Sequence, residues 1–393
     1  MNDSSMSRRQ WLASAAAGVG TLVLGRAARG SVSAPMQIDE PFHGAVLNRR
    51  HGRVVEGGLE ITVRGQAPLG DRVTVNGQPT RREGTRFAAQ VVLPQTETDI
   101  VAVSDGRFGR REHRIRVVWD RYSEPRYRFS IDDNSFFLRD IAGKKYDSLF
   151  DCFYLKILRD LHARYGARFV LNIYYTTGDD FNLTQFPDRY RGEWEDNADW
   201  LKLAFHAYAN EPARPYQYAS PSKLIADLDL VAEQILRFAG PEVYTPPTVI
   251  HWGMVQPASL PALAERGVRT LSGYFRQRGG VWDVNYLLDE VRSEYLSRHD
   301  ALKDFPSGIV FSRVDIVCNN TPLDQIIPTL APLAEDPNQA EIMDLFTHEQ
   351  YFWPFYPNYV PDHAERLDRA IRWVTERGYK PVFFHEGLLG GRL

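Results

Sequence analysis

Two carboxylates stand side by side at Asp132 and Asp133, closing a short apolar run over 127–131. Such a run predicts a buried strand, and successive strand residues point to opposite faces. The pair can share one cavity only where the backbone turns at the strand end. Adjacent carboxylates repel, a cost that a cation or a shared proton relieves. Alone, Ser130-Ile131-Asp132-Asp133-Asn134-Ser135 fits an ordinary turn equally well, because Asp, Asn and Ser favour turns. Later polar residues shift that balance. Asn172, His206, His251, His348 with Glu349, and His385 with Glu386 each sit in or just after another apolar run. Imidazoles and carboxylates gathered at one place do metal ligation, acid–base chemistry, or both.

The elements that must position these groups alternate in type. Strand patterns at 168–174, 201–205, 248–250, 269–274, 308–317, 342–346 and 380–384 are interleaved with helical patterns at 150–165, 224–238, 260–266 and 363–377. Repeated β-then-α units imply a parallel sheet, and about seven or eight strands predict a distorted (β/α)7–8 barrel. The C-terminal strand ends of such a barrel converge on one face, which is where the polar residues fall. Residues 37–118 read differently. Period-two alternation at 58–65 and 87–93, and the Asn76-Gly77 hairpin signal, predict an all-β sandwich. At 393 residues a multi-domain chain is expected: a β-sandwich over 37–118, then an α/β barrel over 127–393. The sandwich contains no cluster of titratable groups and is assigned a spacer or substrate-presenting role.

The motifs carry a resemblance. Ser130-Ile131-Asp132-Asp133 resembles the Thr/Ser-Phe-Asp-Asp strand end of the polysaccharide deacetylase (NodB-homology) family, within the glycoside hydrolase/deacetylase superfamily. His206-Ala207-Tyr208-Ala209-Asn210 is similar to that family's His-x-x-x-His (or Asp) motif, and Phe346-Thr347-His348 to its late Leu-x-His motif. The closing helix, followed by Arg377-Gly378-Tyr379-Lys380-Pro381-Val382, also resembles the end of that domain. The region 37–118 resembles the immunoglobulin-like modules that precede catalytic domains in carbohydrate-active enzymes.

The resemblance implies that Asp132 is the general base and that Asp133 and His206 hold a divalent metal, zinc first among them. His348 would be the general acid toward the leaving amine or alkoxide. The implied activity is removal of an acetyl group from a polysaccharide or cell-wall glycan. Two departures stand out: Asn210, a poorer ligand, where the family has His or Asp, and Ile250-His251-Trp252-Gly253 where it has Arg-x-Pro-Tyr. The expected ligand set is therefore Asp133, His206, Asn210 and His251, with Asp132, His348 and Glu349 as catalytic candidates. Two rivals remain. One is a glycoside hydrolase using two of Asp132, Asp133, Glu349 and Glu386; the other is a non-catalytic glycan-binding protein.

Composition sets the context. The chain is 43% apolar, 25% charged and 12% aromatic with a net charge of −3, which gives no electrostatic footprint for nucleic acid. Ser7-Arg8-Arg9-Gln10-Trp11-Leu12, a mild apolar stretch over 12–25, and Val32-Ser33-Ala34 resemble a twin-arginine export signal over residues 1–34. That stretch is shorter than the roughly 20 residues of a membrane span, so a periplasmic or secreted protein is expected. Cys152 and Cys318 lie in apolar surroundings and read as buried free thiols.

Overall fold

The computed structural model describes residues 34–107 and 109–387. Apart from Ala34, the stretch over residues 1–34 that reads as an export signal lies outside the described residues. Among the described residues no helix is long and apolar enough to cross a membrane.

Strand β1 (Arg126–Asn134) lies at the centre of a six-stranded sheet. It runs parallel to β2 (Phe169–Tyr174) on one side, with Phe129 opposite Phe169. On the other side, Phe129 opposes Leu345 of another parallel strand, Ile342–His348. A strand covered on both faces has to be apolar almost throughout. Its two buried arginines are each paired with a buried carboxylate, Arg126 with Asp120 at 2.7 Å and Arg128 with Asp344 of the neighbouring strand at 2.6 Å. Next to β2 lies β3 (Leu201–Ala207).

A second, three-stranded sheet joins β4 (Thr270–Gly273), β5 (Ala301–Lys303) and β6 (Val310–Arg313). The first sheet is completed by β7 (Ile316–Val317), β8 (Ile342–His348) and β9 (Lys380–Pro381). Helices α1 (Phe136–Lys144), α2 (Phe153–Tyr165), α3 (Pro221–Phe238) and α4 (His363–Glu376) link or cover these strands. Helix α3 begins on Pro221 with Ser220 accepting from the Lys223 amide. It buries Leu224, Leu228, Val231 and Ile235, one stripe at helical spacing. Each such side chain contributes roughly 1.5–3 kcal/mol by leaving water.

The expected fold class is corrected on both counts. First, a continuous barrel of seven or eight strands is not found. The 248–250 run is not a strand: Pro246 and Pro247 have no N–H to donate. Among the described residues its backbone bonds to neighbouring strands are those flanking the isolated Leu203–Tyr244 bridge and Ser272 N–H to Thr248 O at 2.7 Å. The 308–317 run also breaks in two. Val314 N–H bonds Gly273 O at 2.8 Å while Asp315 N–H bonds Asp344 O at 3.0 Å, so each half serves a different sheet.

Second, no immunoglobulin-like sandwich stands apart as the first unit. The strands over 37–119 fall into two five-stranded sheets, in one of which Val46–Leu47 runs parallel to Val118–Trp119. They are also tied into the later chain. Ala45 bridges Leu302, Lys303 N–H bonds Gly44 O at 2.8 Å, and Phe42 stacks on Tyr295 at 4.6 Å. The described chain is a mixed α/β protein of several small sheets.

Candidate metal centre

At Asp133 the backbone leaves the strand conformation. Its φ is +59°, in the left-handed region that Asp tolerates better than most residues. The register between β1 and β2 shifts between Ile131 and Asn134. The turn expected at the strand end is therefore real, and it aims both Asp132 and Asp133 into one cavity of about 390 Å³.

Asp133 meets two imidazoles there. Its Oδ1 lies 3.1 Å from His206 Nε2 and 3.4 Å from His251 Nδ1, and those nitrogens are 3.0 Å apart. Tetrahedral ligands at about 2.0–2.1 Å from an ion stand roughly 3.3 Å from one another, so the triangle has the right size. Its chemistry also fits. His206 Nδ1 lies 3.4 Å from Val249 O and His251 Nε2 3.2 Å from Asn210 O. Carbonyls can only accept, so each faces an N–H and leaves the other nitrogen's lone pair directed inward. Two lone pairs and a carboxylate oxygen converging at 3.0–3.4 Å form an arrangement suited to a cation. The residues present therefore fit a divalent metal.

Burial alone would lower His206, but Asp132 and Asp133 raise its pKa above the ordinary value. Burial likewise pushes Asp133 up, yet the bonds from His206 and His251 and the nearby His348 hold it well below the usual carboxylate range.

Three of the four expected ligands, Asp133, His206 and His251, stand together at this triangle. Asn210 lines the same cavity, with its side-chain oxygen 3.1 Å from Tyr174 OH. His251, on the turn Trp252 makes at φ +64°, takes the third vertex.

Asp132 is 3% exposed and oriented by two donors on Oδ1, Asn172 Nδ2 at 2.6 Å and Ser130 Oγ at 3.2 Å. Its other oxygen lies 3.9 Å from His206 Nε2 and carries no bond, as a base requires. His348 is anchored at Nδ1 by Asn319 Oδ1 at 3.0 Å, and its Nε2 lies 4.0 Å from Asp133 Oδ2. Burial lowers its pKa.

Glu349 has a different place from the one expected. Its buried carboxylate accepts the backbone N–H groups of Ser135, Phe136 and Phe137 at 2.6, 2.9 and 2.6 Å, and Trp353 Nε1 at 3.0 Å. These are the orphan donors at the start of α1, so Glu349 caps a helix and does not line the cavity. His385 is likewise remote. It bonds Thr245 Oγ1 at 2.7 Å, and β9 just before it pairs with Arg126 and Tyr127 at the opposite end of β1. The Glu386 side chain lies outside the described residues.

Two residues at the centre escaped the sequence reading. Tyr174 OH donates to Asp133 Oδ1, and Gln350 Nε2 donates to Asp133 Oδ2 at 2.8 Å. Tyr174 was findable, since it lies two residues beyond Asn172 on the same strand and so shares its face. Trp252, Tyr274, Tyr351 and Tyr356 line the cavity, whereas Phe352 and Trp353 are buried beneath it. Both cysteines are free and buried.

No family model matches the chain, and no curated protein matches it. Among solved structures it is similar to a 4-alpha-glucanotransferase from Thermococcus litoralis, at 10% identity and a TM-score of 0.44 over 67% of this chain. This chain spans 40% of that protein's length. A sialyltransferase from Photobacterium damsela is a more distant likeness, at 11% identity and a TM-score of 0.14 over 78% of this chain and 56% of the other.

Proposed function

We propose that this protein is a metal-dependent hydrolase of the polysaccharide deacetylase kind, removing acetyl groups from a glycan. The observation that carries the reading is the triangle of Asp133 Oδ1, His206 Nε2 and His251 Nδ1, with edges of 3.1, 3.0 and 3.4 Å. These three residues would hold the ion, zinc being suited to nitrogen and carboxylate donors. When bound it supplies a Lewis acid for the acyl carbonyl.

The remaining chemistry belongs to the chain. Asp132, held by Asn172 and Ser130, takes the proton of the attacking water. His348, held by Asn319, faces the same cavity and returns a proton to the leaving amine or alkoxide. Tyr174 and Gln350 steady the Asp133 carboxylate. The aromatic wall of Trp252, Tyr274, Tyr351 and Tyr356 suits the C–H face of a sugar ring.

Glycoside hydrolysis is less well supported. It needs two carboxyl groups about 5–9 Å apart across an open cleft. Glu349 is committed to four N–H donors, and Asp133 to the triangle. Acetate and new reducing ends should be measured together on a panel of acetylated glycans. Acetate without new reducing ends agrees with the proposal; reducing ends without acetate would replace it with the glycosidase. Binding with neither product would leave a lectin-like protein.

A further inference from the structure

A second cavity, sharing no lining residue with the first, lies on the outward face of the N-terminal sheets. It is an open groove of about 1210 Å³. Its floor is built by the paired strands Gly58–Gln66, Arg86–Leu93 and Arg81–Glu83. Alternation sends Ile61, Val63, Phe87, Ala89 and Val91 into the core and leaves Thr62, Arg64, Arg86, Ala88 and Gln90 outside.

The register then fixes a pattern. Ala88 opposes Arg64 on one side and Arg81 on the other, so the three form one row across the sheet. Two strand spacings, roughly 9.5 Å, separate the arginines, with only a methyl group between them. Arg86, two residues along, opposes Gln66 and Glu83. The hairpin that turns at Asn76 and Gly77, with φ +46° and +79°, adds Asn76 and Gln78 to the lining.

The chemistry of this row is one-sided. The side chains of Arg81 and Arg86 make no hydrogen bond or ion pair among the described residues. Arg64 meets Glu40 at 3.0 Å, but the side chains are 59% and 65% exposed, and such a pair yields easily to a competing anion. Glu83 is the one acidic residue in the lining. No Trp or Tyr lines the groove, and Phe87 is buried in the core. It therefore offers no stacking platform for neutral sugar rings or for nucleic-acid bases. Guanidinium forks instead match carboxylate and sulfate groups bidentately, and side-chain amides match hydroxyls.

We propose that this groove is a second binding site, for a strand of anionic polysaccharide whose acidic groups seat on Arg64, Arg81 and Arg86. The site does not depend on the metal triangle and would keep an acidic glycan on the protein between turnovers.

Equilibrium binding of the full chain should be measured on polygalacturonate, dextran sulfate, neutral dextran and a single-stranded oligothymidylate. Retention on at least one acidic polysaccharide, salt-sensitive and absent on neutral dextran, is the expected result, and the two acidic arms tell carboxylate from sulfate recognition. The Arg81→Ala/Arg86→Ala double variant should bind about tenfold more weakly, and Glu83→Gln more tightly. Asp133→Asn should bind like the parent, which separates failure here from failure of the metal reading. Unchanged thermal midpoints confirm that the variants fold. No retention on either acidic polymer, or unchanged affinity in both the double variant and Glu83→Gln, overturns the proposal. Tighter binding to the oligothymidylate than to both acidic polysaccharides also overturns it, in favour of a nucleic-acid groove.

Discussion

Glu349→Gln separates a capping role from a catalytic one. The carboxylate accepts from three backbone N–H groups at the start of α1 and from the Trp353 indole, two donors on each oxygen. A glutamine keeps one acceptor oxygen and turns an NH2 group toward the other two donors. Each buried donor left without an acceptor costs ~1–3 kcal/mol, so two of them cost the variant ~2–6 kcal/mol of stability at low pH.

The pH dependence has a definite sign. Burial pushes the Glu349 carboxyl from 4.5 up to about 7, against the opposing pull of its four donors. A folded pKa above the unfolded one means a contribution fully present below pH 4.5 and lost as pH rises through about 7. The parent therefore loses about 3 kcal/mol across that window, and Gln, which does not titrate, does not. The deficit of the variant should be largest near pH 4.5 and about 3 kcal/mol smaller at pH 8. Urea unfolding of parent and variant at three pH values reads this difference directly, since other titrating groups cancel. Unchanged stability with lost turnover would refute the capping account and return Glu349 to the reacting groups; so would a deficit that grows with pH.

Four other outcomes follow. Asp132→Asn keeps the ligand triangle intact and should retain bound metal while turnover falls ~10²–10⁴-fold, read by metal analysis beside acetate release. Tyr174→Phe removes the phenol from Asp133 Oδ1 and should weaken metal affinity ~10–100-fold with little effect on folding, read by competition with a chelating dye. Asn210→Ala should leave metal content unchanged, because its side chain bonds only Tyr174 at the centre; loss of metal would restore Asn210 as a ligand. His363 is pushed from 6.5 down to about 3 by burial, so its contribution to stability is present above pH 6.5 and lost as pH falls toward 3. His363→Gln should flatten acid unfolding across that window.

The centre was more legible in the sequence than the fold around it. Asp132-Asp133 after an apolar run, and histidines after later runs, are local signals, and packing parallel strands brings their ends together. His251 departs from the motif spacing, because it reaches the triangle from the distant turn at Trp252. Glu349 misled because its neighbour His348 does face the cavity. On the turn that follows β8, adjacent residues diverge, one toward the cavity and one toward α1. The fold class failed where backbone donors decide pairing. Pro246 and Pro247 cannot donate, and the split at Val314 and Asp315 distributes one apolar run over two sheets. Neither effect appears in an apolar–polar pattern. The Asn76-Gly77 hairpin, by contrast, formed as read, because its signal is the backbone preference of those two residues.

The central claim is that Asp133, His206 and His251 together hold one divalent ion. Metal-stripped protein should be titrated with zinc by calorimetry, for the parent and for His251→Ala. One equivalent per chain in the parent, with affinity lost in His251→Ala, is the predicted result. No uptake by the parent, or equal uptake and affinity in both proteins, would contradict it.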